Sequence, residues 1–375
     1  MSTTPQISLV IPALNEAPNL PPLMEQIDAA LRERDGGYEV IVVDDNSRDN
    51  TKEVAAELAT RYPMRLIVRE RPKNGLSGAV LHGIAEAKGE YLVVMDADLQ
   101  HPPAKIPELL APLERGEADF VVGSRYVPGG STGERWGVFR KINSRVATLL
   151  ARPFARRTTD PMSGFFALKR STYARAQRLT PLGYKIALEL MCKSRVENVR
   201  EIPIHFAERT RGESKLTMKE QFRYLEHLSR LYDFTFPRVS PVVKFLIVLA
   251  VSWLAGLVVF LGLFARRTSP VVAVGVAYGV AIAVTAVFHL RYVRTQREFI
   301  IRPRPWLDFA LISAAELIAC VAAAQWVASR VAGPTKLDLF VIPFLLATAV
   351  RYVLRKELLQ DVRGLRKELR KEELT

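Results

Sequence analysis

Short apolar runs alternate with helically spaced apolar residues through the first half of the chain. Runs typical of buried strands occupy residues 7–11, 40–43, 65–68 and 91–95, and helical patterns cover residues 20–31, 49–62 and the segment up to residue 87. Strands that alternate with helices through short connections form a parallel sheet covered on both faces. The pattern therefore predicts a doubly wound α/β domain, with further strands at 120–122 and 199–205.

Two carboxylates and an amide follow the strand predicted at 91–95. They belong to Asp96, Asp98 and Gln100. In open α/β sheets, ligands bind beyond the carboxyl ends of the strands. Oxygen ligands of this kind suit Mg²⁺ or Mn²⁺, which complete their coordination with substrate phosphates and water. The alternative interpretation of these acids is a solvated turn.

Asp44 and Asp45 follow the strand predicted at 40–43. They can cap the next helix, or they can accept hydrogen bonds from a base or from ribose hydroxyls. His101 and His205 are interpreted as loop and strand-end residues, because carboxylates and an amide suit Mg²⁺ or Mn²⁺ better than imidazole does.

Charge and cysteine content narrow the classes of partner. Lys and Arg number 53 against 39 Asp and Glu, a net charge of +14, which indicates an acidic partner such as nucleic acid, an anionic membrane or a phosphorylated substrate. Only Cys192 and Cys320 are present, so no disulfide framework is expected. The polar residues 1–6 run straight into the first strand, so the first 240 residues are expected in the cytosol.

The last third of the chain has the composition of membrane spans. Apolar runs at 242–264, 271–288, 309–328 and 337–354 are long enough to cross a bilayer. Basic residues concentrate in the connection 291–304 and in the tail after 355, so the positive-inside rule places four spans with both termini in the cytosol. Lipid topology thus explains much of the basic excess, and nucleic-acid binding loses its main support.

One acidic residue lies within these apolar runs. Glu316 is near the middle of the third run, where a charged carboxyl is costly, so it is expected to face the interior of the bundle. Tyr278 and Thr285 on the second run are the candidate partners.

Five motifs occur in unbroken order between residues 7 and 235: Ile11-Pro12-Ala13-Leu14-Asn15-Glu16, Val43-Asp44-Asp45-Asn46-Ser47, Asp96-Ala97-Asp98-Leu99-Gln100-His101-Pro102-Pro103, Gly123-Ser124-Arg125-Tyr126 and Phe206-x-x-Arg209-x-x-Gly212-x-Ser214-Lys215. Together they resemble a family 2 glycosyltransferase of GT-A fold, and most closely the dolichol-phosphate mannose synthase group. The apolar third is similar to the GtrA-like four-helix domain of some of these synthases. Leu14 departs from the pattern, since an aromatic residue is common there.

The resemblance implies a metal-dependent inverting transfer of mannose from GDP-mannose to a polyprenyl phosphate. It assigns guanosine binding to Pro12, Leu14, Glu16, Val43 and Asp45. It assigns the metal (Mg²⁺ or Mn²⁺) to Asp96, Asp98 and Gln100, with Ala97 beside the diphosphate. It assigns donor or acceptor phosphates to Arg125, Arg209 and Lys215, and the acceptor side to Arg140 and Ser144. Asp98, Arg125, Arg209 and Lys215 form the implied catalytic set.

Four segments are expected: a cytosolic GT-A domain (1–215), amphipathic interfacial helices (216–240), a four-helix transmembrane domain (241–355) and a basic cytosolic tail (356–375). Two other functions stay open. One is the same transfer with glucose from UDP-glucose, and the other is a non-catalytic lipid-carrier transporter or scaffold that only binds nucleotide.

Overall fold

A computed structural model describes residues 4–132, 148–155, 158–180, 185–207, 218–288, 305–331, 335, 337–351 and 353–354. The chain forms two compact units, Met1–Thr235 and Phe236–Thr375. The first unit is an α/β domain and the second is helical, so the change in composition near residue 240 coincides with a change of architecture.

The strands of the first unit are β1 (Ile7–Ala13), β2 (Tyr38–Asp44), β3 (Met64–Val68), β4 (Tyr91–Val94), β5 (Phe120–Ser124), β6 (Ser131–Thr132), β7 (Phe166–Lys169), β8 (Val199–Pro203) and β9 (His205–Phe206). Seven of them form one sheet in the order β3-β2-β1-β4-β7-β5-β8, and β6 pairs with β9. Every neighbouring pair in the large sheet is parallel except those of β7, which runs antiparallel to β4 and β5. The mostly parallel sheet is confirmed.

In the described part of the first unit the helices include α1 (Leu20–Leu31), α2 (Thr51–Leu58), α3 (Gly75–Glu86), α4 (Ile106–Glu114), α5 (Arg170–Ala174), α6 (Ile186–Lys193) and α7 (Met218–Thr235), and residues 148–151 are also helical. Leu9 and Val93 on one face of the sheet share a core with α1 and α4, whereas Val10 and Val94 on the other share one with α3, α6 and α7. Alternate residues of each strand therefore enter opposite cores, as a doubly wound sheet requires.

The predicted strand at 199–205 is divided in the structure. β8 ends at Pro203, which has no N–H to donate, and Ile204 redirects the chain: its N–H donates to Ser124 and its carbonyl accepts from Ser131. β9 then pairs with β6 instead of extending the large sheet. The break sends the chain back toward the loop after β4, where the N–H of Ala207 donates to the carbonyl of Gln100 at 3.1 Å.

The second unit contains α8 (Ser240–Ala265), α9 (Pro270–Phe288), α10 (Pro305–Arg330) and α11, the helical residues 337–351. α8 and α9 are antiparallel, since Ser252 contacts Thr285 whereas Gly256, further along α8, packs against Ala277, earlier on α9. Large apolar side chains such as Leu254 and Val258 are exposed, as expected of surfaces that face lipid.

Three helical segments are long and apolar enough to cross a membrane by length and composition: Val242–Ala265, Pro270–Phe288 and Phe309–Arg330. The protein is therefore membrane-associated. α11 coincides with most of the fourth predicted run, and its span, like the cytosolic orientation, stays a prediction.

Five polar residues of the second unit form what we call the polar clasp: Ser252, Tyr278, Thr285, Glu316 and Arg351. Glu316 is fully buried, which confirms its expected interior position, and accepts hydrogen bonds from Tyr278 and from Nε and Nη2 of Arg351. Arg351 also donates to Thr285, which is bonded to Ser252. The clasp thus joins all four helices, and Arg351 is the partner that the sequence pattern did not indicate.

Candidate active site

Three asparagines turn the chain at the carboxyl edge of the sheet. Asn15 follows β1, Asn46 follows β2 and Asn74 precedes α3, with φ angles of 59°, 60° and 64°. Asparagine tolerates this left-handed conformation better than most residues. These loops therefore reverse direction just beyond the strand ends.

The two neighbouring acids after β2 have different environments. Asp44 is fully buried and accepts the N–H and the hydroxyl of Ser47, whose oxygen accepts the N–H of Asn15 at 2.8 Å. Asp44 therefore ties the loop after β2 to the loop after β1. Asp45 instead faces Arg69, with 3.3 Å between Oδ1 and Nη1.

Asp45 is the better placed of the two acids to bind a ligand. Burial raises the pKa of its carboxyl, and the charge of Arg69 opposes that rise. Its Oδ1 is buried and accepts no hydrogen bond from the residues that the structure describes, although it is ion-paired with Arg69. A buried acceptor of this kind can receive an N–H or O–H group from a ligand. The sequence patterns did not single out Arg69, whose only signal is its position directly after β3.

The other implied guanosine residues lie at the same edge. Pro12 and Val43 are register partners on β1 and β2, and both are buried. Leu14 is 41% exposed just past the end of β1. Glu16 accepts the side-chain N–H of Asn19 at 2.7 Å, and its own N–H donates to Thr51. The structure thus brings these residues and Asp45 to adjacent strand ends.

The acid pair occupies a tight turn after β4. The N–H of Gln100 donates to Oδ1 of Asp98 at 3.2 Å, and Leu99 between them has a φ of 60°. A bulky residue in the left-handed region is strained, and such strain is common at ligand sites. The side-chain N–H of Gln100 donates to the carbonyl of Ala207 at 2.9 Å, which anchors the start of the segment that contains Arg209.

Gly164 brings the backbone against the carboxylate of Asp96. A methyl group added at Gly164 would lie 2.8 Å from Oδ2 of Asp96, closer than real Cβ atoms approach an oxygen. Phe165, the next residue, stacks on the ring of His101 at 5.3 Å, and Nδ1 of His101 accepts the N–H of Asp96. The hydrogen bond to His101 therefore fixes the backbone of Asp96, and close packing against Gly164 confines its carboxylate.

We expect Gly164→Ala to lower turnover roughly 10- to 100-fold, because the added methyl displaces the carboxylate of Asp96 and small misplacements of reacting groups are costly. Steady-state transfer rates and the thermal unfolding midpoint measure the effect. Gly262→Ala is the matched control, since nothing lies within 4 Å of a methyl group there. Equal turnover by the two variants would show that the contact with Asp96 does not matter.

His101 is buried and neutral. Burial lowers the pKa of its imidazole to about 4, the charge of Asp98 opposing the shift. Because Nδ1 accepts a backbone N–H, its 3.8 Å separation from Oδ2 of Asp96 is no ion pair. Between pH 6.5 and 4 the unfolded chain binds a proton that the folded chain rejects, so stability falls as pH falls through this window.

We therefore expect His101 to account for about 2 kcal/mol of the stability lost between pH 7.5 and pH 5. Unfolding of the full chain in detergent, measured at both values in metal-free buffer, tests this. His101→Asn removes the titrating group, so its stability should depend less on pH over that interval. An identical pH dependence in wild type and variant would contradict the assignment.

Arg125 is held by a buried carboxylate. Nε and Nη2 of Arg125 donate to Asp160 at 2.7 and 2.8 Å, and its backbone N–H donates at 3.1 Å. Burial disfavours the charged guanidinium, but the bonds and charge of Asp160 outweigh that effect, so the pKa of Arg125 is raised. The ring centroid of Phe206 lies 5.2 Å from Cζ of Arg125 and 5.3 Å from the ring of His101 in the loop after β4, so the acid pair and the guanidinium belong to one site.

Lys185 is a second cation at this site that the sequence patterns missed. It precedes α6, and Nζ lies 3.5 Å from the carbonyl oxygen of Met162. Burial, and then the charge of Arg125, lowers the pKa of the ammonium to about 7, while Asp160 and Asp96 act in the opposite direction. The residues around Lys185 in the sequence gave no signal for it, because only the tertiary fold brings it to the edge of the sheet.

Four implied site residues, Arg140, Ser144, Arg209 and Lys215, lie outside the described residues. Among the residues that the structure does describe, no group of three or more His, Cys, Asp and Glu side chains could hold a metal ion. Two carboxylates suffice for Mg²⁺ or Mn²⁺ when substrate phosphates and water complete the shell. Asp96, whose side chain is 32% exposed, and the partly exposed Asp98 fit that requirement.

Comparisons with known proteins identify the family of the chain. The profile of glycosyl transferase family 2 matches residues 8–175. The dolichol-phosphate mannosyltransferase of Pyrococcus furiosus is 43% identical over 71% of this chain and 74% of its own length. That of Saccharomyces cerevisiae is 41% identical over 62% of this chain and 88% of its own. A solved glucosyl-3-phosphoglycerate synthase from Mycobacterium tuberculosis is more distant, at 23% identity and a TM-score of 0.46, covering 61% of this chain and 79% of that one.

Proposed function

Because the chain belongs to glycosyl transferase family 2 and is a glycosyltransferase, we propose that it transfers mannose from GDP-mannose to a polyprenyl phosphate. The observation that carries the proposal is the pairing of opposite charges at one sheet edge. The charge of Asp96 acts on both Arg125 and Lys185, and the ring of Phe206 contacts both Arg125 and His101 in the loop of the acid pair, as a site that aligns a diphosphate and a lipid phosphate requires. The apolar second unit suits a lipid acceptor, and the relatives are named dolichol-phosphate mannosyltransferases.

The buried acceptor of Asp45 supports guanine as the base. Guanine carries a ring N–H beside an amino group, which one carboxylate can accept together, whereas uracil offers a single ring N–H. Arg69 is ion-paired with this carboxylate, and the buried register partners Pro12 and Val43 precede the loops at the same sheet edge. Leu14 gives the base an aliphatic contact where an aromatic residue would stack. UDP-glucose is the second candidate donor, and Asp45 favours GDP-mannose over it.

Asp96 and Asp98 would hold the metal, with Gln100 as a further oxygen ligand. Mg²⁺ or Mn²⁺ bound there would supply positive charge to the departing diphosphate. Arg125, anchored by Asp160, directs guanidinium donors at phosphate oxygens. Arg209 and Lys215 are proposed to share this role, and Arg140 and Ser144 to bind the acceptor phosphate.

The acceptor phosphate is already anionic at neutral pH, so the site requires no strong general base. The surroundings of His101 agree with this, since its imidazole is buried and already accepts the N–H of Asp96. The residues of the chain align two mutually repelling anions, which is catalysis by positioning and electrostatics. Attack on the face opposite the nucleotide would invert the anomeric centre and give a β-linked mannosyl phosphate.

We also propose the membrane arrangement predicted from the sequence. Four spans with the catalytic domain and both termini in the cytosol would keep the active site beside the soluble nucleotide sugar. Residues 1–215 would be catalytic, 216–240 interfacial, 241–355 transmembrane and 356–375 a basic tail. α7 contributes Leu228 and Leu231 to the core of the first unit while exposing Leu225, which suits an interfacial helix.

Calorimetric titration of the full chain in detergent with GDP and with UDP, each with Mn²⁺, tests the donor. The account predicts GDP binding at least 10-fold tighter than UDP, corresponding to about 1.4 kcal/mol or more. Asp45→Asn should reduce that preference, because an amide presents a donor to guanine where the carboxylate presents an acceptor. Tighter binding of UDP would favour the UDP-glucose reaction.

A further inference from the structure

We propose that Asp160 is a positioning residue for Arg125 and that Glu201 fixes Asp160 in turn. The inference rests on the proposed function, because it assigns to Arg125 a task at the phosphates. None of the motifs by which the chain resembles its family includes Asp160 or Glu201.

Asp160 determines the direction of the guanidinium. Its side chain is completely buried, and it accepts Nε and Nη2 of Arg125 side by side as well as the backbone N–H. Two of the five guanidinium N–H groups are thereby used, and within the described part of the chain three remain for a ligand. A bidentate pair of this type fixes the guanidinium plane, so the direction of each of the three remaining N–H donors is fixed as well.

Aromatic rings limit the remaining freedom of Arg125. The centroid of Phe206 lies 5.2 Å from Cζ, and that of Tyr126 lies 5.4 Å away. Phe206 is in β9, directly before Ala207, which is bonded to Gln100. The pose of Arg125 is therefore tied to the same strand that supports the loop of the acid pair.

Glu201 on β8 supports the backbone that carries Asp160. Its Oε1 accepts the hydroxyls of Thr158 and Thr159 at 2.8 and 2.9 Å and the N–H of Asp160 at 3.2 Å, and its Oε2 accepts the N–H of Thr159 at 2.9 Å. One carboxylate thus receives four hydrogen bonds from three consecutive residues. Hydrogen bonds therefore connect β8 to Arg125 through the carboxylates of Glu201 and Asp160.

Asp160→Asn tests the support with little change of shape. The amide keeps one acceptor but turns N–H donors toward the guanidinium and removes the charge that balances it. We expect turnover to fall roughly 10- to 100-fold with a smaller change in GDP affinity, in the range found when residues that orient binding groups are replaced. Glu201→Gln should shift turnover in the same direction by a smaller factor.

A double-mutant cycle separates positioning from a general structural role. Transfer from GDP-mannose to polyprenyl phosphate is measured for wild type, Asp160→Asn, Arg125→Ala and the double variant, with unfolding midpoints in detergent. If Asp160 acts through Arg125, the double variant should be within about 2-fold of Arg125→Ala, since residues that act as a unit are not additive. Glu108→Gln is the matched control, because its carboxylate forms an exposed ion pair with Lys105.

The outcomes distinguish the inference from the function on which it rests. If the wild-type chain transfers no mannose, the proposed function is overturned. The same double-mutant cycle can then be run with whichever donor is active. Multiplicative losses in an active enzyme, or a loss in Asp160→Asn explained by a lower unfolding midpoint, would overturn the positioning role. Non-additive losses with unchanged midpoints support it.

Discussion

Asp98→Ala is expected to lower transfer by about 10³-fold or more, because the variant removes one of two carboxylates proposed to hold the metal at the departing diphosphate. The loop should survive the change. The turn is held by contacts that do not involve the carboxylate of Asp98, namely the hydrogen bond from the backbone of Asp96 to His101 and that from Gln100 to Ala207.

Initial rates with saturating Mn²⁺ and the thermal unfolding midpoint check this expectation. Glu117→Ala is the control. Its exposed carboxylate pairs with Arg115, and both residues precede the amino end of β5, whereas the acid pair lies at the carboxyl edge of the sheet. Wild-type turnover by Asp98→Ala with Mg²⁺ or Mn²⁺ as the only metal would remove Asp98 from the site.

Glu316→Leu is expected to destabilise the full chain by about 3–5 kcal/mol, the usual effect of leaving a buried charge without its partner. Arg351 is only 4% exposed, and it would lose both hydrogen bonds that it donates to Glu316. Arg351→Leu should have a comparable effect, because it leaves the buried carboxylate of Glu316 with the hydroxyl of Tyr278 but without a balancing charge.

The double replacement Glu316→Leu with Arg351→Leu should recover much of the loss, since an apolar pair can substitute for a buried ion pair. Glu316→Gln should keep transferase activity, as the polar clasp has no assigned part in the chemistry. Unfolding midpoints in detergent and transfer rates decide the point. If Glu316→Gln stopped transfer in a well-folded protein, the second unit would have a direct part in the reaction.

The fold of the first unit follows closely from local patterns. The predicted helix at 20–31 coincides with α1, whose buried residues Leu20, Leu23, Met24 and Ile27 have helical spacing. α3 begins at Gly75 because Asn74, in the left-handed conformation, turns the chain just before the glycines. The reversed direction of β7 had no local signal, since a strand buried on both faces has the same composition whichever way it runs.

The candidate site was only partly predictable for a related reason. The end of a predicted strand located Asp96 and Asp98. Asp44 and Asp45 are neighbours of the same residue type, so the sequence does not distinguish them, and only their contacts with Ser47 and Arg69 do. Lys185 reaches the site through tertiary packing, and its neighbours in sequence do not indicate that. These roles depend on contacts between residues distant in sequence, which the local pattern of residue types does not reveal.

The most direct test of mannosyl transfer is the incorporation of radiolabelled mannose from GDP-mannose into polyprenyl phosphate by the purified full chain. Label is counted in the organic phase with Mn²⁺, after chelation of metal, and with labelled UDP-glucose in place of GDP-mannose. The account predicts a lipid-linked product that needs added polyprenyl phosphate, is lost on chelation and is far larger with GDP-mannose. Label that enters the lipid only from UDP-glucose, or from neither donor, would contradict it.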